Sequence, residues 1–147
     1  MNDVLDDLVR TRHLQSTADV ERFTEALERL PQVLDEQTAL ALYDVFDDDV
    51  EIPEVMFGLI HRLEKFDPAS CERVLLSALP GLLARAPWWT ETIVVRFINN
   101  PVSRRQLVEA SKVATPEQVS ALRATLSAIA AVHDRAGDLA REIMREL

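Results

Sequence analysis

The apolar residues of this chain recur three or four positions apart almost from end to end, the period of an α-helix with one buried face. Val20, Phe23, Leu27 and Leu30 form one stripe, and Ala39, Leu42, Tyr43 and Phe46 form the next. Val55, Met56, Leu59, Ile60 and Leu63 make a third, whose spacing Val74, Leu75, Ala78, Leu79, Leu82 and Leu83 repeat. Val119, Leu122, Leu126, Ile129 and His133 follow a near-heptad, and Leu139, Ile143 and Leu147 close the chain. Only 3 glycines fall among these runs.

The punctuation agrees with helices. Asp67-Pro68, Asn100-Pro101 and Thr115-Pro116 each set a capping side chain before a proline. Proline is tolerated at the first helical position, where its missing N–H would have no partner anyway. Thr115 and Gln118 have capping-box spacing, and Ser16 or Thr17 can cap the second helix. Helices are expected at 4–13, 18–30, 36–46, 53–65, 68–85, 88–99, 101–113, 116–135 and 138–146. Pro80-Gly81 is expected to kink or split the fifth, and Gly137 to end the eighth. The β-branched run 92–98 reads as a strand by propensity. It is kept helical because no other segment alternates, so a strand would find no partner.

Pro53 and Pro101 are 48 residues apart, as are Pro68 and Pro116, and the same offset lays Leu59 and Ile60 on Leu107 and Val108. This faint repeat is close to the period of helical solenoids. The expected class is all-α, with about nine helices in stacked antiparallel pairs, as a small HEAT- or armadillo-like solenoid or a compact bundle. The length of 147 residues is that of one domain.

Charge is unevenly placed. Residues 1–54 hold 15 Asp/Glu against 4 Arg, whereas residues 55–147 hold 10 against 12 Lys/Arg. The densest acid runs from Asp44 through Asp47, Asp48, Asp49 and Glu51 to Glu54, between the third and fourth helices. Like charges this close repel one another when the chain compacts. They suit a face for a basic partner, where they would raise association rates. They equally suit a solvated loop with an acid near the next helix N-terminus. Calcium is the weakest reading, because the spacing lacks the glycine and alternate acids of an EF-hand loop. Tyr43 and Phe46 flank the acid and are expected in the core, with Tyr43 also a candidate for presenting its hydroxyl to a partner.

Other functions find little footing. The acidic balance and the lack of a basic cluster beyond Arg104-Arg105 argue against nucleic acid and anionic membranes. The single cysteine, Cys71, cannot form an internal disulfide. The N-terminus lacks a signal-peptide pattern and no apolar run approaches 18 residues, so a cytoplasmic protein is expected. His13, His61 and His133 carry no metal spacing, and no phosphate loop or nucleophile elbow is present. No cofactor, metal or catalytic residue is therefore assigned. Trp88 and Trp89, about 100° apart on a helix, cannot both face one core, so one is expected to bury and the other to lie at a boundary. Arg96, in an apolar run, is expected to pair with an acid of a neighbouring helix.

The segment from Val55 to Glu64, then Leu79-Pro80, then Pro87-Trp88-Trp89 leading to Arg96-Phe97-Ile98-Asn99, resembles all-helical immunity proteins of bacterial polymorphic toxin systems. The resemblance covers roughly residues 20–110 and rests on core and capping positions. It implies a protein that binds a cognate toxin domain, blocks its active site or locks its conformation, and protects the producing cell without catalysis. The expected absence of a signal peptide would place the toxin's action in the cytoplasm. Many such toxins are nucleases or other basic enzymes, which an acidic face would fit.

Two readings fit the sequence. The first is a stoichiometric toxin inhibitor, monomeric by default, binding through Tyr43, Asp44, Asp47, Asp48, Asp49, Glu51 and Glu54, with Asp6, Asp7 and Glu25 as an extension. The alternative is a HEAT-like scaffold or adaptor with a concave groove. An enzyme would require a deep pocket with convergent carboxylates and Arg96.

Overall fold

The computed structural model describes residues 2–147. Nine helices and no strand occur among the described residues: α1 (Asn2–Thr11), α2 (Thr17–Glu28), α3 (Glu36–Tyr43), α4 (Pro53–Glu64), α5 (Cys71–Arg85), α6 (Pro87–Asn99), α7 (Pro101–Ser111), α8 (Pro116–Ala130) and α9 (Arg135–Glu146). The protein is all-α. The run 92–98 lies inside α6, as the lack of a pairing strand requires. Internal contacts group the chain into two compact units, Met1–Cys71 and Glu72–Leu147.

In the first unit α1 packs on α2, and α4 packs on both α2 and α3. Phe23 of α2, Leu42 of α3, and Met56 and Leu59 of α4 are fully buried, each from a stripe the sequence displays, and Ala26, outside those stripes, is buried with them. Gly58 permits the close approach of α4 to α2, since a Cβ there would stand 3.1 Å from Leu27 Cδ1. Arg62 of α4 donates hydrogen bonds to the carbonyls of Leu27 and Pro31. It thereby ties α4 to the last turn of α2 and the segment just after it.

In the second unit α6 contacts α7, α8 and α9, and α8 pairs with α9. These four helices form a compact helical bundle with α6 in contact with each of the other three. Trp89, Ile93, Val94, Phe97 and Ile98 form the buried face of α6. Asn100 caps α7, and Thr115 with Gln118 forms the expected capping box of α8.

The structure corrects three boundaries. Helix α5 begins at Cys71, not at Pro68. Asp67 instead organises a turn, accepting from the Ala69 amide and the Ser70 hydroxyl. The helix then runs unbroken through Pro80-Gly81 to Arg85. Helix α8 stops at Ala130, and Gly137 lies in the first turn of α9, where its amide donates to the Asp134 cap. Helix α3 stops at Tyr43, so Phe46 is buried from the loop that follows.

Candidate functional site

The acidic connection between α3 and α4 is built around buried anchors. Its chain path puts Tyr43, Val45 and Phe46 inside, with Tyr43 only 2% exposed. The Tyr43 and Phe46 rings stand 6.4 Å apart. Between and after these anchors the acids turn outward: Asp44, Asp48, Asp49, Glu51 and Glu54 are exposed and Asp47 is half-buried. Burying the apolar set of a short loop forces the intervening polar residues toward water, because a buried unpaired carboxylate is costly. Six of the seven candidate residues thus lie at the surface. The Tyr43 side chain lies in the core, as its place in the α3 stripe requires.

The loop has defined local structure. Asp47 Oδ1 accepts from the Asp49 amide at 2.9 Å, and the Val50 amide donates to the Asp48 carbonyl at 3.1 Å. Asp side chains favour such local turns. Pro53 opens α4 without a side-chain cap, and Glu54 sits in its first turn, where a negative charge is favourable beside the helix dipole.

The end of α1 holds this loop, a relation absent from the sequence reading. Arg12 donates to the Asp44 carbonyl at 3.2 Å, and its Nε lies 3.9 Å from Asp47 Oδ2. That Nε is buried with no hydrogen-bond partner, so Asp47 compensates its charge without a bond. His13 Nδ1 lies 2.7 Å from the Asp49 carbonyl oxygen. A carbonyl only accepts, so Nδ1 carries the proton and donates. In return the His13 carbonyl accepts from the Glu51 amide at 3.1 Å. No local motif announces these contacts, which span more than 30 residues of sequence.

The proposed extension fares unevenly. Asp7 is engaged with Arg29, the C-cap residue of α2, whereas Asp6 and Glu25 are exposed. The first unit as a whole carries 17 Asp/Glu against 6 Lys/Arg, and the second 8 against 10. None of those 17 acids is buried. The first unit therefore holds the entire net negative charge at its surface.

Elsewhere, Trp89 is 1% exposed and Trp88 is 51% exposed. Their rings meet edge to face at 4.7 Å, which divides the pair between core and surface as expected. Arg96 is half-buried. An open groove of about 670 Å³ runs beside Leu34, Arg62, Lys65 and Phe66 in the first unit. A smaller one of about 240 Å³ lies beside Arg104, Glu109 and Glu142 in the second. Neither groove includes Arg96 or the acidic loop. Among the described residues no three His, Cys, Asp or Glu side chains are grouped to hold a metal ion. No described helix is long and apolar enough to cross a membrane.

A protein-family model described as Immunity protein 30 matches residues 10–107, two thirds of the chain. The matched span contains Arg12, His13, the whole acidic loop and both tryptophans. No curated protein and no solved structure gives a significant match.

Proposed function

The chain belongs to the immunity protein 30 family, and from that premise we propose that it binds a cognate toxin domain and neutralises it by occlusion, with no catalytic step. Family membership carries the functional class. The surface acid of the first unit supports the finer reading, in which the contact is centred on Asp44, Asp47, Asp48, Asp49, Glu51 and Glu54 and the toxin presents a basic surface. An exposed carboxylate group of one sign steers a basic partner into contact and disfavours acidic ones. The mechanism is steric and electrostatic: the loop projects charge while Tyr43, Val45 and Phe46 keep it anchored.

Co-expression tests this directly. The chain is produced together with each polymorphic-toxin domain encoded in its own genome. Growth should be restored with one of these domains and not with the others. Failure to protect against any of them, with both proteins expressed and folded, contradicts the reading.

A further inference from the structure

The acidic loop faces a physical difficulty. Its carboxylates repel one another, and repulsion favours a spread, mobile connection. The structure shows what opposes that spreading. Three main-chain groups of the loop, the Asp44 carbonyl, the Asp49 carbonyl and the Glu51 amide, are all held by two consecutive residues, Arg12 and His13. The next residue, Leu14, is the one described non-glycine residue with positive φ, at 50°. A left-handed backbone is unfavourable for an L-residue with a Cβ. Leu14 is fully buried, and burial of its side chain offsets that cost. The left-handed turn at Leu14 redirects the chain immediately after the two residues that hold the loop.

We propose that Arg12, His13 and Leu14 form a latch that fixes the 44–52 loop in a single conformation, and that Arg12 and His13 are positioning residues for the face the toxin meets. The second clause rests on the toxin-binding reading above; the first does not. The latch works on backbone atoms, so it orders the loop whichever acids it carries. Guanidinium charge beside Asp47 adds local compensation. A loop ordered before contact loses less conformational freedom on binding than one that must be ordered by it.

The test uses the full chain and reads the Glu51 amide by hydrogen exchange. His13→Leu removes the ring donor; His13→Asn keeps an N–H close to the Nδ1 position. Loss of the bond should speed Glu51 exchange by about fivefold to tenfold, the worth of one hydrogen bond. His13→Asn should return it toward the native rate, and the amides of α9 should not change in either variant. Unchanged Glu51 exchange in His13→Leu, or failure of His13→Asn to restore it, overturns the latch. Dissociation of the protected toxin domain from the two variants tests the positioning clause. Faster release from His13→Leu, restored by His13→Asn, supports that clause, and equal release rates overturn it. Charge reversal at Asp47, Asp48 and Asp49 separates the readings. If reversal leaves toxin binding intact while His13→Leu still frees the loop, the contact reading fails and the latch stands.

Discussion

At Gly137 the backbone leaves no room for a side chain. An added Cβ would stand 1.9 Å from the Val132 carbonyl oxygen, a main-chain atom that cannot rotate away. Gly58 differs, because its nearest neighbour is the end of a leucine side chain at 3.1 Å, which can yield. Gly137→Ala is therefore expected to destabilise the protein by about 2–4 kcal/mol through backbone displacement, measured by denaturant unfolding, with Gly58→Ala costing clearly less. Equal losses would show that the α8–α9 turn adapts. Glycine often ends helices, so the sequence alone predicts a helix end at Gly137. The residue sits instead in the first turn of the next helix, where the connecting turn folds the Val132 carbonyl back onto it. Leu14 is similar: nothing about a leucine in sequence announces a left-handed backbone.

Among the helices, α3 matters most for the site, because its end launches the acidic loop. It has only 8 residues, too few to be stable alone. Its start is fixed by Asp35, whose carboxylate accepts from the Thr38 amide at 2.7 Å. Hydrogen bonds from the Thr38 backbone and then its side chain hold the Asp35 carboxyl below its ordinary value of 3.8. A depressed folded value contributes stability that is present above the unfolded value and is lost as pH falls through the folded one. Acid titration should thus loosen α3 below about pH 3.8, read by exchange of the α3 amides. Asp35→Asn, which caps without a charge, should remove that part of the pH response; an unchanged response would assign it to other acids. The existence and type of the helices were legible in the sequence, because periodicity and caps such as Thr115 and Asn100 are local. The ends of α3, α5 and α8 were not, because they are decided by turns at Asp44, Asp67 and Ala131 that compete with another helical turn.

Over the whole molecule, charge follows the structural division: the unit ending at Cys71 carries a net −11 and the unit beginning at Glu72 a net +2. We retain one domain of 147 residues as a proposal, on length alone. The acidic candidates were legible because a run of like charges is visible in any order of folding. Their support was not, since Arg12 and His13 meet Asp44 and Asp49 only through tertiary structure, and His13 read alone is an isolated histidine. Tyr43 was ambiguous until burial assigned it to the core. The central claim is that this loop is the surface that meets the toxin. The measurement that tests it most directly is the association rate constant of the toxin domain, across ionic strength, with the native chain and with the Asp47→Lys, Asp48→Lys, Asp49→Lys triple variant. The variant should associate at least about tenfold more slowly at low salt and with a flatter salt dependence. Equal rate constants and equal salt slopes would contradict the claim.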